Sequence, residues 1–240
     1  MEVDLLLAIL AVALGSVIQG VSGVGGGFIM VPLLALIDVG LLPGPLIFGS
    51  LSISGLMAWR ERTHIDFRAT PFILVAILPG ALLGARLIAQ VDRDQLGILF
   101  GSMILFAVFI SALGVHFPLN RLTASISGFV SGAMGASSGI GAPVIAVLYQ
   151  RESGPNVRAT LAYIYTIASL LIVFSLTMFG RFTFAEAQSG LLLLPGFVFG
   201  YICSRPLALH FDHGATRYIV LGVSAAAAAV LLITSMPGIK

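Results

Sequence analysis

Long stretches without a charged residue restrict the fold of this chain more than any other feature. Cutting the sequence at each Asp, Glu, Lys, Arg and His leaves eight uncharged runs of at least 17 residues: 5–37, 39–59, 69–85, 95–115, 122–150, 159–180, 187–204 and 218–239. A helix needs about 17–25 predominantly apolar residues to cross the hydrocarbon core of a bilayer. The alternating segments of about ten residues that build a membrane β-barrel are not present. The pattern therefore predicts an all-α polytopic membrane protein.

The composition supports a lipid environment. Only 9% of the 240 residues are charged, whereas soluble domains carry about 25%. The basic residues are scattered over short loops, so we expect the lipid bilayer and no nucleic acid as a partner. The single cysteine, Cys203, excludes an intrachain disulfide and a multi-cysteine metal site, and we expect no cofactor. The acidic start, Met1-Glu2-Val3-Asp4, is not typical of a cleavable signal peptide.

The eight runs form two sets of four that resemble each other. GVSGVGGGF at 20–28 aligns with GAMGASSGI at 132–140, and LPGALLGARL at 78–87 aligns with LPGFVFGYICSRPL at 194–207. LFGS at 99–102 matches VLGV at 220–223. Three matches in the same order predict two homologous four-segment halves, at 1–115 and 116–240. Such repeats are common in transporters, where the substrate site lies at the repeat interface.

The first run of each half has an unusual length. These runs have 33 and 29 residues, or about 50 and 44 Å of helix. That is too long for one crossing of about 30 Å and too short for two. Each run carries a glycine cluster near its middle, so we expect a helical hairpin that breaks at the glycines and returns to its own side. Each half then crosses an odd number of times, which predicts inverted repeats.

The distribution of Lys and Arg favours these hairpins. If all eight runs crossed fully, the 12 basic residues would divide six against six. With hairpins they divide eight against four, with Arg60, Arg62, Arg68, Arg121, Arg151, Arg158, Arg205 and Arg217 on one face and Arg86, Arg93, Arg181 and Lys240 on the other. The more basic face of a membrane protein is normally cytoplasmic. We therefore expect both termini outside.

The glycine clusters suggest a binding site for an anion. Irregular backbone at membrane depth is tolerated only where protein buries it or where it lines a cavity. A helix that restarts after a break presents unpaired N–H groups and a positive dipole end, and both attract anions. Pro32 and Pro143 are expected early in these restarting helices. The predicted substrate-binding residues are Gln19, Ser22, Gly23, Gly25, Gly26, Gly27, Ser137, Ser138, Gly139 and Gly141.

Weaker candidates for the solute pathway are Ser52, with Ser50 and Ser54 beside it, and the arginines Arg86, Arg158 and Arg205. An alternative stays open for all of these residues. Glycines and serines can serve helix packing alone, and arginines can extend to the membrane surface from helix ends. Tyr163 and Tyr165 are interpreted as residues of the interfacial aromatic belt.

The stretches GVGGGFIMVPLL and GASSGIGAPVIAVLY, on eight apolar runs and 240 residues, resemble the TauE/SafE family of sulfite exporter-like permeases over nearly the whole chain. The resemblance implies a bacterial plasma-membrane permease for small sulfur-containing anions such as sulfite, thiosulfate or organosulfonates. We expect export by alternating access between the two halves, with the substrate held at the facing helix N-termini. It also implies a role for the motif residues Gly23, Gly25, Gly26, Gly27, Pro32, Gly135, Gly139, Gly141 and Pro143.

Other functions remain as alternatives at this point. A passive anion channel would use the same helix ends. Gly135, Ser137 and Gly139 fit the Gly-x-Ser-x-Gly pattern of serine hydrolases, although no histidine lies within an apolar run to serve as the base. A membrane anchor without a transport role is a third alternative. A homodimer is left open.

Overall fold

The computed structural model of the chain describes residues 2–92, 95–113, 117–149, 155–207 and 213–235, with backbone alone at residues 2 and 213–220. Within these ranges it contains α-helices and two short 3-10 turns, at Val39–Leu41 and Arg62–His64, and no strand. The helices are α1 Glu2–Ser22, α2 Gly26–Ile37, α3 Gly44–Arg60, α4 Thr70–Ala89, α5 Leu96–Leu113, α6 Arg121–Ser138, α7 Ala142–Leu148, α8 Pro155–Met178, α9 Phe184–Leu192, α10 Leu194–Leu207 and α11 His213–Ser235.

Several helices have the length and composition of membrane spans. Among the described residues, five segments are long and apolar enough to cross a bilayer: Val3–Ser22, Thr70–Ala89, Leu96–Leu113, Pro155–Met178 and Phe184–Leu207. Large apolar side chains are exposed along them, for example Val75 on α4 and Phe174 on α8. Exposed apolar surface of this extent belongs against lipid. The predicted all-α membrane fold is confirmed.

Glycines allow α4 and α6 to pack closely. A Cβ atom built on Gly80 would lie 2.0 Å from the carbonyl oxygen of Phe129, and one on Gly84 would lie 2.2 Å from that of Ala133. Real Cβ atoms do not approach backbone so closely, so any side chain here would force the helices apart. Since these contacts advance in the same order along both helices, α4 and α6 run in the same direction.

The same kind of contact joins α1 and α10. A Cβ atom on Gly196 would lie 2.5 Å from the carbonyl oxygen of Ile9, and one on Gly200 would lie 2.4 Å from that of Ala13. The two Pro-Gly-x3-Gly stretches matched in the sequence are therefore both helix-packing surfaces. Here too the contacts advance together, so α1 and α10 run in the same direction.

The two ends of the bundle are identified by the contacts of α3 and α8. Arg158, near the start of α8, pairs with Glu61, which follows α3. Gly44, at the start of α3, lies against Phe182, which follows α8. The two helices are therefore antiparallel, and we name the two ends of the bundle the Glu61 end and the Arg181 end.

The loop before α4 belongs to the Glu61 end. The backbone N–H of Asp66 donates to Thr160 Oγ1 of α8 at 2.9 Å, and Thr70 Oγ1 donates to the Asp66 carbonyl oxygen at 2.7 Å. Arg68 donates to the Asp66 carboxylate and holds the pKa of that carboxyl below its usual range. At the other end, Arg181 Nη2 donates to the carbonyl oxygen of Ala89 at 3.1 Å. α4, and α6 beside it, therefore run from the Glu61 end to the Arg181 end.

α1 and α11 place the first and last described residues at the Arg181 end. α10 ends near Arg60, because the guanidinium groups of Arg60 and Arg205 both lie over the ring of Tyr201. α1 follows the direction of α10, so it starts at the Arg181 end. Gly97, at the start of α5, lies against Ser235 at the end of α11, and α5 starts just after α4 has ended at that face.

Candidate functional site

The first glycine cluster breaks the helix as predicted. α1 ends at Ser22, and α2 begins at Gly26. Between them Gly23 has φ 80° and Gly25, the N-cap of α2, has φ 97°. Other residues rarely adopt this left-handed region without strain, so glycine is required at both positions.

The second cluster breaks the chain at Gly139, which has φ 81°. α6 ends at Ser138 and α7 begins at Ala142, with Pro143 at its second position as expected. Gly141 has φ −99°, so the second break contains one left-handed glycine where the first has two. The returning helices have 12 and 7 residues, or about 18 and 10 Å. Both are too short to span a bilayer, in agreement with the predicted hairpins.

The two breaks share one local hydrogen-bond pattern. Ser22 Oγ donates to the carbonyl four residues earlier at 2.8 Å and accepts from the amide two residues later at 3.4 Å. Ser138 Oγ makes the same two bonds, at 2.8 and 3.3 Å. Ser-Gly-Val-Gly at 22–25 therefore has the same local hydrogen bonds as Ser-Gly-Ile-Gly at 138–141. This pairing differs by four residues from the alignment of Gly23 with Gly135 and of Gly27 with Gly139.

Pro32 lies in the middle of α2 and not near its start. Inside a helix, proline leaves the carbonyl four residues earlier without its usual donor. Here that carbonyl belongs to Phe28, and Ser224 Oγ of α11 donates to it. The expectation that Pro32 sits at the first turn is wrong, since α2 begins at Gly26 and continues through the proline with this substitute bond.

α2 folds back against α1 and is largely enclosed by protein. A Cβ atom on Gly26 would lie 2.7 Å from the carbonyl oxygen of Gly15 and 2.6 Å from Gln19 Oε1. Phe28 and Met30 are 5% and 2% exposed. Gly26, a predicted substrate residue, thus packs against α1, and the enclosure of α2 is what membrane-depth irregular backbone requires.

Both breaks border one cavity of about 90 Å³. A water molecule occupies about 30 Å³ of liquid, so the cavity has room for about three waters or one small ion. A Cβ atom on Gly27 would lie 3.8 Å from the carbonyl oxygen of Gly139, which brings the start of α2 next to the second break. Of the predicted substrate residues, the cavity is lined by Gln19, Gly27, Gly139 and Gly141.

The remaining polar lining comes from α3, α6 and α8. It consists of Ser50, Ser54, Ser131, Tyr165 and Ser169. Four of these hydroxyls already donate to backbone carbonyls at 2.6–3.1 Å, and only Ser169 does not. A hydroxyl has one hydrogen, so these four present lone pairs to the cavity. None of the lining residues is charged.

The free hydrogen-bond donors of the cavity are therefore few. Within the described residues, the side-chain amide of Gln19 and the hydroxyl of Ser169 have no hydrogen-bond partner. The same holds, over those residues, for the backbone N–H groups of Gly27 and Ala142, which line the cavity in the first turns of α2 and α7. An amide carries two N–H donors, and the start of α2 adds the positive end of a 12-residue helix dipole. The cavity thus offers donors to an anion without a cationic side chain.

The other six predicted residues, Gly26 among them, are not part of the cavity lining. Ser137 Oγ donates to the carbonyl oxygen of Ala133 at 2.7 Å and lies 3.3 Å from Met103 Sδ. Gly23 lies against Arg158, and Gly25 caps α2. With Ser22 and Ser138, whose hydroxyls bond their own helices, these residues shape the breaks.

The residues predicted as weaker pathway candidates do not lie together along one path. Ser52 Oγ donates to the carbonyl oxygen of Gly49 at 2.7 Å and does not line the cavity, whereas Ser50 and Ser54 do. Residues four apart share a helix face and residues two apart do not, which explains this division. Arg86 and Arg205 are exposed at the ends of α4 and α10.

Sequence reasoning missed part of the lining on α8. Tyr165, interpreted as a belt residue, lines the cavity, and its Oη donates to the carbonyl oxygen of Ala142 at 3.1 Å. That interpretation is wrong. Tyr165, Ser169 and Ile172 recur at steps of four and three, which is one face of a helix. This spacing was visible in the sequence, but it did not show which face of α8 meets the glycine breaks.

Comparison with known proteins identifies the family. Residues 7–231 match the family model described as sulfite exporter TauE/SafE. A relative from Cupriavidus necator, named "Probable sulfite/organosulfonate exporter TauE", is 25% identical over 98% of this chain and 98% of its own length. A "Probable membrane transporter protein" from Haemophilus influenzae is 24% identical over 97% of this chain and 92% of its own length. No solved structure matches the chain. The chain therefore belongs to the sulfite exporter TauE/SafE family, and it is a membrane transporter rather than an enzyme.

Proposed function

We propose that this protein exports small sulfur-containing anions, such as sulfite, thiosulfate or organosulfonates, across the bacterial plasma membrane. The printed name of the Cupriavidus necator relative, a sulfite/organosulfonate exporter, supports this substrate class. The observation that carries the proposal is the uncharged cavity between the two glycine breaks, with the Gln19 amide, the Ser169 hydroxyl and the start of α2 as free donors.

The chemistry of the cavity suits an anion that must also leave. Each neutral hydrogen bond contributes about 1 kcal/mol, and bonds to a charged group contribute about 1.5–3 kcal/mol. A few such bonds give moderate affinity, whereas a buried cationic side chain would hold an oxyanion more firmly. Sulfite has four non-hydrogen atoms, which fits a volume of about 90 Å³. The hydroxyls that present lone pairs, Ser50, Ser54, Ser131 and Tyr165, suit a substrate or water that carries a proton.

Two inverted repeats, 1–115 and 116–240, are part of the proposal. Helix α1 runs from the Arg181 end to the Glu61 end, and α6 runs in the opposite direction. The contact of α1 with α10 matches that of α6 with α4, through the Pro-Gly-x3-Gly glycines. The shared Ser-Gly pattern at both breaks also favours a duplication. A site between inverted repeats is the arrangement on which alternating access usually depends.

The distribution of arginines supports an orientation. Of the arginines whose side chains the structure describes, six belong to the Glu61 end, namely Arg60, Arg62, Arg68, Arg121, Arg158 and Arg205, and two, Arg86 and Arg181, belong to the other. By the positive-inside rule, the Glu61 end faces the cytoplasm and both termini are outside.

Flux through purified protein in liposomes tests this function. Sulfite efflux should saturate with concentration and should accelerate when sulfite is also present on the opposite side. A current that rises in proportion to voltage without saturation would instead indicate a passive anion channel. Absence of protein-dependent flux of sulfite, thiosulfate and sulfonates would contradict the proposal.

A further inference from the structure

A carboxylate lies buried between arginines at the Glu61 end. The side chain of Glu61 is 10% exposed, and its Oε1 accepts from Arg60 Nη2 at 2.6 Å. The same oxygen accepts from Arg158, at 3.2 Å from Nη2 and 3.3 Å from Nε. Two guanidinium groups, on α3 and α8, therefore converge on one carboxylate oxygen.

The second oxygen of this carboxylate is unsatisfied. Glu61 Oε2 is buried and has no hydrogen-bond partner within the described residues. Leaving a buried charged group partly unpaired is costly, and a carboxylate oxygen can accept two bonds. A buried unsatisfied polar group in a native structure calls for an explanation, and a role in binding is one.

The surroundings of Glu61 carry a surplus of positive charge. Arg205 of α10 lies over the same Tyr201 ring as Arg60, each guanidinium carbon 5.4 Å from the ring centroid. Two arginines thus contact one carboxylate, and a third lies against the same aromatic ring as Arg60. The neighbouring charges do not offset this surplus, since Asp66 pairs with Arg68 and Arg62 lies over the ring of Trp59.

This cluster is connected to the cavity through the first break. A Cβ atom on Gly23 would lie 3.0 Å from Arg158 Cγ and 3.3 Å from its Cα. The N–H of Gly23 donates to the carbonyl oxygen of Gln19 at 2.8 Å. Because the Gln19 side chain lines the cavity, one turn of α1 separates the arginine cluster from the donors of the cavity.

We propose that Arg60, Glu61 and Arg158 form a second anion site, at which a transported oxyanion exchanges with the Glu61 carboxylate. This inference rests on the proposed function, and it places the exchange of the anion at the cytoplasmic end of the transport path. A sulfite or sulfonate group presents oxygens to guanidinium donors as a carboxylate does. While no anion is bound, Glu61 satisfies the arginines, and its return displaces the anion again. The carboxylate thus prevents the arginines from trapping the substrate.

Replacement of Glu61 by glutamine tests the exchange. Glu61→Gln keeps the size of the side chain but removes the competing charge. Titration calorimetry of the purified protein should show sulfite and methanesulfonate binding about tenfold more tightly, with slower turnover in liposomes because release is impaired. Arg68→Gln is the matched control, since Arg68 is exposed at the same end and pairs with Asp66. It should leave affinity unchanged.

A second variant keeps the test decisive if Glu61→Gln does not fold. Arg158→Lys keeps the charge but loses the planar fork, so sulfite affinity should fall about tenfold with little change in the melting temperature of the ligand-free protein. If the wild type transports sulfite and both folded variants bind it with wild-type affinity, the cluster is only structural and this inference is wrong. If the wild type neither binds nor transports sulfur anions, it is the proposed function that fails.

Discussion

At the scale of single residues, the side-chain amide of Gln19 is the most important donor for the proposed anion binding. It lines the cavity and has no hydrogen-bond partner among the described residues. Its neighbours Ser50, Ser54 and Ser131 have already donated their hydrogens to carbonyls. An oxyanion in the cavity would therefore interact first with Gln19.

Truncation of this side chain should weaken binding. Gln19→Ala removes one or two hydrogen bonds to a charged ligand, at about 1.5–3 kcal/mol each, so sulfite affinity should fall at least tenfold. Ser52→Ala is the control, because Ser52 lies on the same stretch of α3 as the lining serines but not in the cavity. Calorimetry on both purified variants checks this. Equal affinities for Gln19→Ala and the wild type would remove Gln19 from the site.

Two serines provide a sharper comparison. Ser169 lines the cavity with a free hydroxyl, whereas the hydroxyl of Ser137 donates to its own helix. Ser169→Ala should weaken sulfite binding about tenfold, and Ser137→Ala should leave it nearly unchanged. The reverse ranking in the same calorimetric assay would mean that the donors of the substrate lie on α6, as the sequence alone suggested.

Single residues of the site differed in how far the sequence could predict them. Gln19, Gly27, Gly139 and Gly141 were predicted because they lie within or beside the breaks, where local chemistry is readable. Ser169 was not, because its role depends on which face of α8 turns toward the breaks. That rotation is set by packing between segments distant in the sequence.

At the scale of elements, α2 is a short helix held between α1 and the cavity. Gly26 faces α1, and a Cβ atom built on it would lie 2.7 Å from the carbonyl oxygen of Gly15. Gly27, the next residue, faces the second break, where the nearest atom to a Cβ would be 3.8 Å away. Adjacent glycines therefore have different functions, one in packing and one in lining the cavity.

A matched pair of substitutions separates these functions. Gly26→Ala should destabilise the protein, because the methyl group separates α1 from α2 and overpacking typically costs about 1–3 kcal/mol. Gly27→Ala should retain or raise the melting temperature, since alanine favours helix by about 1 kcal/mol over glycine. It should nevertheless reduce sulfite flux by narrowing the cavity. Thermal unfolding and liposome flux of both variants check this, and unaltered flux in Gly27→Ala would contradict the placement of the cavity.

The lengths of the apolar runs predicted the helix breaks at the glycines, because helix length is limited by the bilayer. The register between the halves was less predictable. Matches among the 28 glycines favoured one alignment, whereas the shared hydrogen bonds of Ser22 and Ser138 favour an alignment shifted by four residues. The unequal lengths of α2 and α7 also depend on packing around each break rather than on local propensity.

For the whole molecule, the contrast between its two ends determines the expected orientation. The arginine-rich Glu61 end should face the cytoplasm, while the first residues of α1 and the last of α11 lie at the opposite end. The sequence predicted this arrangement from charge counts combined with the hairpins. It could not reveal the buried Glu61, because its pairing with Arg158 depends on packing between segments distant in the sequence.

Cysteine labelling checks the orientation. In a Cys203→Ser background, His64→Cys at the Glu61 end should react with a membrane-impermeant maleimide only after the cells are permeabilised. Asp92→Cys, exposed at the Arg181 end, should react in intact cells. Labelling of position 64 in intact cells, with position 92 protected, would reverse the proposed orientation.

Anomalous diffraction from crystals grown with selenite, a heavier analogue of sulfite, tests most directly whether an oxyanion binds in the cavity between the two glycine breaks. We expect a selenium peak in the cavity between Gly27 and Gly139, with an anion oxygen in hydrogen-bond contact with the Gln19 amide. Selenium bound only elsewhere, with α1 and α2 forming one unbroken helix through Gly23 and Gly25, would contradict it.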